Sequence, residues 1–272
     1  MIPKVTVTVT VDKIRDAVSA LRLSGRPLCV HSSLRSFGWV ADGAQTVIDG
    51  LLAERCTVLV PTFSYDAFWI DPLPHQRRER NGVDYAALPP LPSERPGNHQ
   101  TFTPDSLAIQ PERMGAISAR VLATPGRARG NHPLCSFSAV GPLARALTAR
   151  QAPLRIWGAL EALAEAGGAI VLMGVCLDRM TFLHLAEQRA GRTCFRSWAN
   201  GPDGTPMEVE DGGCSRGFPQ LEPFLQPFMR QTLVGRSDWR AYDAADTLTG
   251  SDESSSSGTS TAPALEVPRF AA

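Results

Sequence analysis

Four apolar runs, each closed by a turn and three of them feeding a stretch of helical spacing, constrain this chain more than any other feature. They are Pro27-Leu-Cys-Val-His-Ser32, Cys56-Thr-Val-Leu-Val-Pro61, Ser136-Phe-Ser-Ala-Val-Gly141 and Ala169-Ile-Val-Leu-Met-Gly174. The first leads into a helix over about Gly43 to Ala53 and the third precedes a short helix from Pro142 to Ala149. The fourth is followed by a helix from Thr181 to Ala190, and the second ends in the loop Thr62 to Asp66. Runs of this length without polar alternation read as strands buried on both faces. Strands that alternate with helices predict an α/β fold whose largely parallel sheet is covered on both sides. Ligands in such sheets gather beyond the carboxyl ends of the strands.

The chain has 272 residues, enough for a full core. The reading is one domain over 1–249, with a proline-rich insertion at about 67–111 and a tail at 250–272. The insertion has no sustained period and is either a substrate lid or a surface elaboration. The tail is too polar to bury a core and is expected to be disordered. Lys plus Arg and Asp plus Glu are 27 each. That balance argues against nucleic acid or an anionic membrane as the main partner. No run approaches the length of a membrane span, no signal peptide is evident, and the six cysteines show no CxxC pairing. The expected compartment is the cytoplasm.

Four segments carry candidate chemistry. In Thr181-Phe-Leu-His-Leu-Ala-Glu187, His184 and Glu187 are three apart and share a helix face. A carboxylate beside an imidazole fixes the tautomer and stabilises the imidazolium, as a general base requires. The same spacing also occurs as a solvated pair. A metal site would need further ligands, and no other His or Cys stands at ligand spacing nearby. His31-Ser-Ser-Leu-Arg-Ser-Phe-Gly38 follows a strand and is either a phosphate cradle or a polar helix-capping turn; it lacks the Walker pattern. His132, in Arg127-Ala-Arg-Gly-Asn-His-Pro, either meets a phosphorylated ligand or makes a structural hydrogen bond. Cys214, in Gly212-Gly-Cys-Ser-Arg-Gly-Phe218, is either a nucleophile or a buried structural thiol.

Taken in order, the blocks HSSLRSFGWV, VLVPTFS, MGAISARV, HPLCSFSAVGP, VLMGV…TFLHLAE and GGCSRGF resemble the aminoglycoside 3-N-acetyltransferase family of antibiotic N-acetyltransferases. The resemblance runs from about residue 10 to about residue 248. It implies a three-layer α/β/α fold with a largely parallel or mixed central sheet, distinct from the GNAT superfamily. It also implies acetyl-coenzyme A as cosubstrate, with no metal, and transfer of the acetyl group to the 3-amino group of a cationic sugar antibiotic.

Residue by residue, the resemblance implies that His31, Ser32, Ser33, Leu34, Arg35, Ser36, His132, Ser136 and Phe137 contact the cofactor. His184 and Glu187 become the catalytic pair, and Thr181 a group that holds the thioester carbonyl. Acidic side chains would bind the antibiotic, and Asp66, Asp178 and Asp211 are the candidates beside the motifs. The chain departs from the family at Arg129-Gly-Asn-His132, where many relatives have Arg-Ser-x-His. Its 67–111 insertion is also nearly neutral, although it would be expected to be acidic if it wrapped a polycation. The same chemistry on a different amine, a cofactor-binding protein without turnover, and a zinc hydrolase are the competing expectations. Salt-sensitive binding of a polycation would separate transfer to an aminoglycoside from the same chemistry on a different amine.

Overall fold

The computed structural model describes residues 8–72, 74–79, 81 and 100–249. The expectations for the 250–272 tail and for the middle of the insertion lie outside the described residues. The chain runs through α1 (Val11–Ala20), β1 (Pro27–Ser32), α2 (Ala44–Ala53), β2 (Thr57–Pro61), α3 (Tyr65–Phe68) and β3 (Trp69–Ile70). There follow α4 (Pro111–Leu122), β4 (Ala128–Arg129), β5 (Phe137–Val140), α5 (Ala144–Thr148), α6 (Gly158–Glu165) and β6 (Ala169–Met173). The last third holds α7 (Phe182–Arg189), β7 (Phe195–Asn200), β8 (Pro206–Asp211), α8 (Glu222–Leu225), β9 (Arg230–Val234) and β10 (Ser237–Asp243).

Seven strands form the main sheet in the order β4-β5-β2-β1-β6-β10-β9. Its centre, β2-β1-β6, is parallel, with Leu28 opposite both Val58 and Ala169. On one side β5 and then β4 run antiparallel, and on the other β10 and then β9 do the same. Of the two forms expected, the sheet is therefore mixed. The run Ser136 to Gly141 does form a strand, but it returns against β2 rather than beside a crossover helix.

Side chains along each central strand alternate between two cores. Leu28, Val30, Val58, Val60, Val171 and Met173 face one core, where Ile14 and Val18 of α1, Val47 and Leu51 of α2, and Ile117 and Val121 of α4 meet them. Cys29, Leu59, Phe137, Ile170 and Leu172 face the other, with Leu147 of α5, Leu160 and Leu163 of α6 and Phe182 of α7. The period of two is invisible in the sequence because both faces are apolar. Among the described residues no helix is long and apolar enough to cross a membrane.

A second, antiparallel sheet, β3-β7-β8, stands beside α7. It takes its first strand from the start of the 67–111 insertion. The returning arm of that insertion is tied to the body by two arginines. Arg129, buried beneath the sheet edge, donates to the carbonyls of Thr62, Ser106 and Ala108 and lies over the Phe102 ring; Arg127 donates to the carbonyls of Asp105 and Ser106.

Candidate active site

The three parallel strands deliver their carboxyl ends to one cleft of about 1310 Å³. β1 lies between β2 and β6, so chains leaving it and its neighbours diverge to opposite faces and open a crevice there. Residues just after β1 (Ser33, Leu34, Arg35), β2 (Phe63, Tyr65) and β6 (Gly174, Val175, Cys176) line it. The start of α4 supplies one wall with Glu112, Arg113, Met114 and Gly115. Trp157, Thr181, His184, Asp211, Gly212 and Gly213 supply another.

The loop after β1 is held by Ser36, whose hydroxyl donates to the Ser33 carbonyl at 2.7 Å and meets Ser237 at 2.7 Å. This leaves no room for a side chain at residue 174. Gly174 has φ +67°, and a Cβ there would stand 2.0 Å from the Ser36 hydroxyl oxygen and 2.4 Å from its Cβ. Tight packing between the β1 and β6 loops thus sets the floor of the cleft. The 3₁₀ turn Leu34–Phe37 leaves its first N–H groups without intrahelical partners.

His184 sits in the first half of α7, almost wholly buried. Its ring stacks on Trp157 with centroids 5.5 Å apart and planes 12° from parallel, and Phe218 packs at 4.7 Å. Its Nδ1 lies 2.8 Å from Glu187 Oε2. A carboxylate oxygen only accepts, so Nδ1 carries the hydrogen and the neutral ring keeps its lone pair on Nε2. The other carboxylate oxygen, Oε1, is ion-paired with Arg192. Thr181 occupies the cap position of α7, and its hydroxyl makes no capping bond.

Asp211 ends β8 and reaches the same cleft. Tyr65 and the Gly212 N–H donate to its Oδ1, and Ser197 donates to Oδ2 at 2.6 Å. Burial nevertheless pushes its carboxyl above the ordinary range, against the pull of these donors. Tyr65 also meets the Cys135 thiol at 2.8 Å, and burial drives both the phenol and the thiol well above their ordinary values. Thiol, phenol and carboxylate thus form one hydrogen-bonded chain in the lining of the cleft.

The structure brings Thr181, His184, Asp178, Asp211 and the run His31 to Arg35 to this cleft. Glu187 stands behind His184 in a small recess with Gln188, Arg192 and Cys194. The remaining candidates lie elsewhere. Ser36 spends its hydroxyl inside the loop, and Asp66 is exposed on α3, away from the lining. His132 is fully buried: its Nδ1 accepts from the N–H groups of Leu134 and Cys135, and its Nε2–H donates to the Glu210 carbonyl at 3.0 Å. Ser136 accepts from Arg129 and donates to the Thr62 carbonyl, while Phe137 is a core residue under Phe63. These three shape the wall from behind. Cys214 is exposed and outside the lining, so neither reading of it as a buried thiol nor as a cleft nucleophile matches its place.

Residues that sequence reasoning left without a role are Tyr65, Trp157, Arg192 and the Glu112 to Ala116 segment. The last runs into the MGAISARV block at Met114, and Gly115 of that block breaks the helix at φ +81° beside the Ser32 carbonyl. A glycine in the middle of a helical period was the available signal.

The model of the family described as Aminoglycoside 3-N-acetyltransferase matches residues 29–252. The chain belongs to this family. It is 34% identical over 179 residues to aminoglycoside N(3)-acetyltransferase VIII of Streptomyces fradiae, a match covering 61% of this chain and 56% of that protein. It thus spans little more than half the length of that relative. To aminoglycoside N(3)-acetyltransferase III of Salmonella it is 31% identical over 269 residues, covering 87% of each. Its fold is that of the aminoglycoside acetyltransferase AAC(3)-IVa apoenzyme, with TM-score 0.73, 20% identity, and 93% of this chain and 91% of that chain covered. AAC-IIIb, solved as a binary with CoASH, matches with TM-score 0.69 and 22% identity over 94% of this chain and all of that one.

Proposed function

We propose that the protein moves an acetyl group from acetyl-coenzyme A directly to an amine, the 3-amino group of an aminoglycoside antibiotic, with His184 as general base, and so confers resistance. The observation that carries this reading is the His184–Glu187 pair, locked between two aromatic rings at the edge of a large cleft. Membership in the family supports the reaction class, and the relative solved with CoASH supports the cosubstrate.

In the reaction as proposed, the amine nitrogen bonds to the thioester carbonyl carbon while His184 Nε2 takes a proton from it. Glu187 stabilises the imidazolium. The Thr181 hydroxyl, not engaged in capping, donates to the carbonyl oxygen as charge develops there. The carbon–sulfur bond then breaks, and the departing thiolate takes the proton from His184. The cleft suits a long phosphorylated cosubstrate: Arg35, Arg113 and Arg179 bring positive charge to its lining. Direct transfer, rather than an acyl-enzyme, agrees with Cys135, whose thiol burial keeps protonated. Asp178 and Asp211 are the acids of the lining assigned to the acceptor, and Ser36, His132, Ser136 and Phe137 act through the shape of the wall.

A second acceptor class is favoured by one observation. The three arginines of the lining are balanced by three acids, Glu112, Asp178 and Asp211, whereas a site for a polycation is expected to be more acidic. Thiol release from acetyl-coenzyme A, measured with a panel of aminoglycosides at low and moderate salt, decides between them. Turnover with several aminoglycosides, weakened by salt, is the expected result. Coenzyme A binding without turnover on any of them transfers the reading to another amine.

A further inference from the structure

We infer that Arg192 is a positioning residue for the catalytic pair: it holds Glu187 so that His184 keeps its hydrogen on Nδ1 and presents Nε2 as the acceptor. The kinetic consequence rests on the acetyl-transfer reading; the geometry stands apart from it.

Glu187 is about 30% exposed, so a carboxylate held only by the imidazole is free to turn toward water. Here both oxygens are committed. Oε2 takes the hydrogen of His184 Nδ1 and Oε1 takes the Arg192 guanidinium, which fixes the carboxylate plane. Arg192 is itself located from three sides. Its backbone N–H closes the end of α7 on the Glu187 carbonyl at 3.0 Å, its guanidinium lies 5.8 Å from the Phe195 ring centroid, and it packs against Gly213. A Cβ at Gly213 would come within 2.7 Å of Arg192 Nη2. The preceding glycine does the same for the other support of the histidine, since a Cβ at Gly212 would stand 3.2 Å from the Trp157 ring. The two glycines after β8 therefore close over the two side chains that orient the imidazole and its carboxylate. An ion pair as exposed as this one contributes little to stability, so its geometric effect is separable from folding.

The test uses the full chain with ¹⁵N-labelled histidine. Wild type and Arg192→Lys are expected to show His184 as the Nδ1–H tautomer, and Arg192→Met and Arg192→Gln a mixture of tautomers. In turnover, the Met and Gln variants are expected to lose roughly tenfold in kcat, about the worth of one charge-assisted hydrogen bond, with KM for acetyl-coenzyme A within twofold and Arg192→Lys restoring most of the loss. A wild-type tautomer in both neutral variants overturns the inference. Absence of thiol release by wild type would instead overturn the acetyl-transfer reading, and the tautomer comparison would still decide the role of Arg192.

Discussion

Two flat rings and one carboxylate determine what the imidazole of His184 can do. Trp157 and Phe218 restrict its rotation, and Glu187 assigns its hydrogen. Two other histidines are governed by burial. His31 and His132 are held neutral by burial, with pKa values lowered to about 4. In the unfolded chain a histidine titrates near the ordinary value of about 6.5. As pH falls below that value the unfolded chain takes up protons that the folded chain refuses. Stability present above about 6.5 is therefore lost progressively until about 4. Each ring contributes a slope of up to roughly 1.4 kcal/mol per pH unit. Denaturant unfolding between pH 7 and 5, above the range where most carboxylates titrate, is expected to show the decline, and a flat profile would contradict the buried neutral state. The sequence separates these residues only partly. The i, i+3 spacing of His184 and Glu187 announces their contact. The proline after His132 describes the backbone alone, and nothing local tells that both ring nitrogens are spent on main-chain groups.

Single elements follow the same division. β1, β2 and β6 are legible as apolar runs because both faces of a central strand are buried. β7, β8 and β9 give weaker signals: Phe195–Asn200 and Pro206–Asp211 belong to a small sheet, and Arg230–Val234 is an edge strand that is largely exposed. Each pairs with its neighbour in sequence, β7 with β8 and β9 with β10, but their polar, partly exposed residues lack the apolar run that marks a central strand. The turn after β6 allows a test at this scale. Gly174→Ala forces a Cβ into the Ser36 hydroxyl at a positive φ and is expected to cost about 2–4 kcal/mol. Urea unfolding checks it, and a loss below about 0.5 kcal/mol would show that the two loops are not packed as described.

Across the whole molecule, the cleft is a product of topology. Residues from 31 to 215 meet there because three parallel strands end together and β8 of the second sheet brings Asp211 to the same place. The family resemblance identified the blocks, and two of those it assigned to the site, HSSLRS and TFLHLAE, reach the cavity. Of HPLCSFSAV, which reads as a ligand segment, Cys135 reaches the lining while His132, Ser136 and Phe137 stand behind it; MGAISARV supplies another part of the lining. The central claim is that His184, in this cleft, takes the proton of the attacking amine. The measurement that tests it most directly is kcat for His184→Ala beside wild type, with coenzyme A affinity determined on the same preparations. The account predicts a loss of about 10²–10⁴-fold in kcat, the contribution of a general base, with coenzyme A affinity within a few-fold. A variant that retains turnover within tenfold of wild type would contradict it.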